Sequence, residues 1–101
     1  MMTEKRVLLT IITEAAIESV LLRQLDGLGM RGYTIMDVRG KGSRGVRDGR
    51  LQESANIRIE TVLTEQKAKL VLEYLATHYY DHFAMIAFMR EVEILRPEKF
   101  T

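Results

Sequence analysis

The chain has no cysteine among its 101 residues. That excludes disulfides, thiolate zinc sites and a cysteine nucleophile, and it fits a reducing cytoplasm. Long apolar runs are also missing. The N-terminal run VLLTII (7–12) meets Thr13 and Glu14 at once, too short for a signal-peptide core or a membrane span. Charge of one sign is missing too: Lys and Arg total 15 against 14 Asp and Glu, a formal net charge of +1. Nothing global therefore argues for a nucleic-acid partner. Aromatics are scarce at 7%. An RNA-reading sheet needs exposed aromatics on its central strands, whereas Phe88 stands alone and Tyr33 falls on a different strand. Proline occurs once, at Pro97, where it ends the regular structure because it cannot donate to a ladder.

What remains is ordinary globular composition, 47% apolar and 29% charged. One domain, residues 1–101, is expected, large enough to bury roughly two-thirds of its unfolded surface. Val7–Ile12 reads as the first strand. Thr13 is a candidate N-cap with Glu14 beside it, followed by Ile17, Val20, Leu21, Leu25 and Leu28 at helical spacing. Gly27, Gly29 and Gly32 stop that helix. Tyr33–Arg39 reads as strand two. Ile57–Leu63 alternates, with Ile57, Ile59 and Thr61 on one face and Arg58 and Glu60 on the other, as strand three. Thr64 is a second candidate N-cap before a stripe of Ala68, Val71, Leu72, Leu75 and Tyr79. Phe83–Met89, extended by the alternation of Glu91–Leu95, is strand four. The order β-α-β-β-α-β predicts a ferredoxin-like α+β fold: a four-stranded antiparallel sheet with two helices on one face.

Strands one and four, VLLTII and FAMIAFM, are apolar on both faces, yet two helices cover one face of a sheet. The other face is expected to be an association surface, giving an oligomer with its sheets turned inward. Thr10, Ala84 and Ala87 would temper that apolarity.

The segment RGKGSRGVRDGRLQESAN at 39–56 is too long for a hairpin loop, which usually takes two to five residues, and such length is usually functional or disordered. Arg39, Lys41, Arg44, Arg47 and Arg50 recur through it, interleaved with Gly40, Gly42, Gly45 and Gly49; Asp48 is the only acid between Arg39 and Arg50. GKGSRG at 40–45 satisfies G-x-G-x-x-G. A dinucleotide site needs a helix to start next, and VRDGRLQES has no apolar periodicity. A Walker A loop needs Ser or Thr directly after Gly-Lys, and Gly42 follows Lys41. The chemistry survives both rejections: glycines let backbone N–H groups converge on an anion, arginine forks suit phosphate or carboxylate, lysine adds a point charge, and Ser43 can donate. The bland alternative is a soluble hairpin tip.

His78 and His82 are four apart, as zinc ligands on a helix can be, but no third ligand is apparent and the spacing falls where the second helix should end. Glu91 and Glu93 share a strand face and read as solvated charges. The methionines read as core fillers. Neither a nucleophile–base pair nor a carboxylate dyad is marked by spacing, so no catalytic residue and no enzyme activity is expected.

The run GLGMRGYTIMDVRGKGSRGVRDGR, most specifically residues 29–47, resembles the PII signalling proteins, and most closely the PII-like branch linked to bicarbonate transport and carboxysomes. A glycine, Tyr-Thr, a strand and then Gly-Lys-Gly-Ser-Arg mark the base of what that family calls the T-loop, here about 39–56. The resemblance implies a homotrimer with inward-facing sheets, adenine nucleotides in clefts between subunits, and a T-loop that changes shape to engage a partner, often a membrane transporter. It places Gly40, Lys41, Gly42, Ser43, Arg44 and Arg47 at the phosphates, Thr34 at the adenine, and Arg96 as a basic residue reaching in from the neighbouring subunit. ATHYYDHFAM (76–85) replaces the family's glycine-rich, lysine-bearing loop. That suits ADP, AMP or cyclic AMP better than classical sensing of ATP and 2-oxoglutarate. The T-loop lacks the tyrosine needed for uridylylation and the C-terminus lacks a redox cysteine pair. Bicarbonate is a second anion consistent with this branch, and a bicarbonate transporter or carboxysome-related protein is the implied partner. Two rival readings stay open: a small enzyme slowly hydrolysing nucleotides, and an assembly module indifferent to them.

Overall fold

The computed structural model describes residues 2–40 and 55–101. Four strands form one antiparallel sheet: β1 (Glu4–Glu14), β2 (Thr34–Val38), β3 (Asn56–Leu63) and β4 (Met85–Ile94), in the spatial order β2-β3-β1-β4. Two helices, α1 (Glu18–Gly27) and α2 (Glu65–His78), complete the expected β-α-β-β-α-β order. Short 3₁₀ turns at Ala15–Ile17 and Pro97–Lys99 follow β1 and β4. Among the described residues no helix is long and apolar enough to cross a membrane.

Side-chain alternation assigns the two faces. Val7, Leu9 and Ile11 of β1 stand opposite Leu63, Thr61 and Ile59 of β3, and opposite Glu91, Met89 and Ala87 of β4. Leu9, Ile11, Ile57 and Ile59 on this face are fully buried, packed with Leu21 and Leu25 of α1 and Ala68, Val71 and Leu75 of α2. Each large apolar side chain among them contributes about 1.5–3 kcal/mol on leaving water, and together they seat both helices on one side of the sheet.

Helix ends follow from local chemistry. Thr64 caps α2, its hydroxyl accepting from the Lys67 N–H at 3.3 Å, and Glu65 pairs with Lys69 one turn on at 3.0 Å. Thr64→Ala should lower stability by about 1 kcal/mol, readable as a shifted urea midpoint with an unchanged slope. At the end of α1, Met30 N–H donates to Leu25 O and Gly29 N–H to Asp26 O, with Gly29 at φ 98°. This Schellman closure needs the left-handed conformation that glycine takes without penalty, and it delivers Met30 into the core.

Thr13 is not a cap. It lies inside β1, which runs on to Glu14, and its hydroxyl donates to Ala84 O at 3.1 Å. Glu14 next to it accepts the Ala84 N–H at 3.0 Å. Strand pairing outcompetes the cap here because β1 is a central strand, with partners on both edges along almost its whole length. The same pairing stretches β1 beyond the apolar run Val7–Ile12 at both ends.

The second face of the sheet carries Leu8, Thr10 and Ile12 of β1, Ile86, Phe88 and Val92 of β4, Val62 of β3 and Met36 and Val38 of β2. No helix covers it. Ile86 is 54% and Phe88 41% exposed. Ala87 pairs with Ile11 and so belongs to the helix-covered face, and Ala84 precedes β4. Of the three residues expected to temper the open face only Thr10 lies on it, and Thr10 is itself buried.

Candidate functional site

The register decides what one protomer can bring together. Glu4, at one end of β1, pairs with Ile94, so Arg96 leaves the sheet at that end. Glu14, at the other end, pairs with Asn56, and Asn56 with Val38, so Gly40 leaves at the opposite end. Ten residue steps of extended chain separate these ends, about 33 Å. Arg96 and Gly40, both assigned to one anion site by resemblance, therefore diverge within a single chain.

Thr34 opens β2, exposed on the uncovered face and paired with Glu60. Glu60 accepts from Arg58 Nε at 3.0 Å, with Nη2 of the same guanidinium 2.9 Å from that oxygen, so the carboxylate opposite Thr34 in the ladder is already paired within its own strand. The approach to β2 is fixed by Thr61, whose hydroxyl donates to Gly32 O at 2.6 Å. Gly40 is exposed, and among the described residues a Cβ built on it would meet nothing within 4 Å. Lys41, Gly42, Ser43, Arg44 and Arg47 lie outside the described residues.

The loop between α2 and β4 shares the Gly40 end of the sheet. Thr13 and Glu14 grip both backbone groups of Ala84, and Ala15 N–H donates to Ala55 O at 3.0 Å. The end of β1 thus ties the α2–β4 loop to Ala55, the residue before β3. Tyr80 hydroxyl accepts the Ala87 N–H at 2.8 Å, satisfying a donor on the outer edge of β4.

His78 closes α2 and His82 lies in the turn beyond it. The His78 ring packs on Tyr74, centroids 4.4 Å apart, and the described residues contain no group of three His, Cys, Asp or Glu placed to hold a metal. Beside them, Ile17, Val20, Gln24, Tyr74, His78 and Phe83 line an open depression of about 440 Å³ on the helix side. The hydroxyls of Tyr74 and Tyr79 both donate to Gln24 Oε1, at 2.7 and 2.6 Å. Sequence spacing had no means of revealing this junction, because its three residues come from separate helical faces. Burial raises the Tyr79 pKa above the ordinary tyrosine value, and neighbouring Tyr74 adds to the effect. The folded state thus holds that proton longer than the unfolded chain does. Its stabilisation is intact below about pH 10 and is lost as pH rises beyond. Tyr79→Phe should flatten the fall in denaturant midpoint as pH rises above about 10.

The family profile described as "Nitrogen regulatory protein P-II" matches residues 6–99. The chain belongs to the P-II family. Solved structures agree over its whole length. A PII-like signalling protein from Thermus thermophilus is 39% identical, with a TM-score of 0.84 and full coverage of both chains. CPII from Thiomonas intermedia, bound to ADP, AMP and acetate, is 27% identical with a TM-score of 0.85, covering 99% of this chain and 98% of that one. The same protein bound to ADP and bicarbonate aligns at 30% identity and a TM-score of 0.84, with the same coverage. The chain is thus a PII-like protein with the ferredoxin-like P-II fold, and its family is a regulatory one.

Proposed function

We propose that this PII-like chain is a homotrimeric sensor of adenine nucleotides, binding ADP or AMP in clefts between protomers. ATP and cyclic AMP are further candidate ligands, and bicarbonate acts as a second anion. In this reading Gly40, Lys41, Gly42, Ser43, Arg44 and Arg47 receive the phosphates of one protomer's cleft. Thr34 lies at the adenine, and Arg96 enters from the next protomer. Ligand binding sets the conformation of the T-loop at about 39–56, and a partner in inorganic-carbon metabolism reads it, through differential affinity for the two loop states.

The observation that carries the reading is the nucleotide-bound structure of CPII, which aligns with this chain almost end to end. Two features of the protomer support it. Arg96 and Gly40 leave opposite ends of the sheet, so a cleft using both needs two chains. The uncovered sheet face supplies an apolar surface on which chains can meet. Among the described residues nothing packs against a Cβ at Gly40, whereas close approach of a ligand to the backbone is a reason for glycine.

Isothermal titration with ATP, ADP, AMP and cyclic AMP, each with and without bicarbonate, tests the proposal. Saturable heat with ADP or AMP at one site per protomer is expected. Absence of heat with all four nucleotides would overturn it.

A further inference from the structure

Arg6 lies near the start of β1, on the uncovered face, and its side chain is 16% exposed. A cation held that far from water needs partners. Two of them lie more than ninety residues away: Nε donates to Phe100 O at 2.9 Å and Nη2 to Pro97 O at 3.2 Å. Nη1 donates to Lys5 O at 2.8 Å and faces Glu4 at 3.3 Å. The planar fork thus straps the C-terminal turn onto the first strand.

That turn begins at Arg96, whose backbone is left-handed at φ 58° and ψ 55°. Such a conformation costs a non-glycine residue about 1–2 kcal/mol, and the following proline already steers Arg96 away from the right-handed helical region. Left to itself, residue 96 would relax to an extended conformation and its side chain would swing to a new direction. Strained residues persist where surrounding contacts over-determine them, and such places cluster at ligand clamps. Inside the turn Lys99 N–H donates to Arg96 O and Phe100 N–H to Pro97 O. From outside, Arg6 holds Pro97 O and Phe100 O.

We propose that Arg6 is a positioning residue for the anion site: by gripping Pro97 O and Phe100 O it fixes the direction in which Arg96 leaves the protomer toward its neighbour's ligand. This rests on the reading above that Arg96 contacts the nucleotide. In this proposal Arg6 acts through Arg96 and not on the ligand directly.

A double-mutant cycle read by ADP titration tests it, with oligomeric mass measured on every variant. Arg6→Gln should weaken ADP binding about tenfold, the loss of a well-aimed charged hydrogen bond, at unchanged oligomeric mass. Arg96→Ala should weaken it at least as much. The double variant should bind no worse than Arg96→Ala, because Arg6 acts through Arg96. Arg6→Lys keeps the cation without the fork and should fall between wild type and Arg6→Gln; it carries the same cycle should the glutamine variant not fold. Wild-type affinity in the Arg6 variants beside a weakened Arg96→Ala would overturn the positioning role alone, as would losses that add in full. Wild-type affinity in Arg96→Ala would instead overturn the assignment of Arg96, and the positioning role with it.

Discussion

On the proposed reading of a homotrimeric ADP sensor, Phe88→Asp is expected to yield a folded monomer that binds no ADP. Phe88 is 41% exposed in the protomer and stands on the sheet face that no helix covers. A carboxylate there keeps its water in the single chain, so secondary structure and the helix-side core should survive. In an inward-facing trimer the same carboxylate leaves water at the contact between sheets, and Arg90, two residues along β4 on the same face, offsets that desolvation only in part. The effective penalty for each buried ion is several kcal/mol, and threefold symmetry imposes it in every copy. Light scattering reports the mass and far-ultraviolet circular dichroism the fold. ADP binding should vanish along with the trimer, because Gly40 and Arg96 leave opposite ends of one sheet and the proposed cleft joins them across chains. A variant that retains the wild-type mass would remove the uncovered face as the association surface, while one that is monomeric and still binds ADP would remove the intersubunit cleft.

The fold was legible because its signals are local and redundant. Ile57, Ile59 and Thr61 alternate with Arg58 and Glu60, and the same alternation sorts β3 between core and open face. Thr64 precedes a helical stripe and caps it. The boundaries that differ are those set by pairing. Thr13 is chemically a good cap, but a central strand offers it two neighbours, and ladder bonds with both outweigh one capping bond. Ala87 shows the parity problem: once β4 begins at Met85, a shift of one residue reverses every assignment of side chain to face.

The candidate site is a reading of chemistry rather than of geometry. Glycines and cations at 39–50 suit an anion by composition, and Lys41, Gly42, Ser43, Arg44 and Arg47 lie outside the described residues. Thr34 and Arg96 carry no such mark, and they enter only by resemblance. Arg6 was invisible for a different reason. Its partners are backbone carbonyls beyond Ile94, and a carbonyl has no sequence signature. The Gln24–Tyr74–Tyr79 junction escaped in the same way, since its contacts depend on how α1 and α2 are seated on the sheet.

Arg44→Ala should lower ADP affinity by about ten- to a hundredfold, since a hydrogen bond to a charged group contributes about 1.5–3 kcal/mol. The loss should be confined to ligands bearing phosphate. Adenosine, which lacks it, should bind the variant as it binds the wild type. Arg44→Lys should recover part of the loss and no more, because lysine keeps the charge and gives up the planar pair of donors that matches two phosphate oxygens. Raising salt should weaken ADP binding less steeply in Arg44→Ala than in the wild type, one cation having been removed from the site. Thr34→Val supplies the counter-test: a residue at the adenine acts on adenosine and ADP alike. Equal losses for adenosine and ADP on Arg44→Ala would move that residue away from the phosphates. No loss for either would return the basic segment to the role of a solvated hairpin tip.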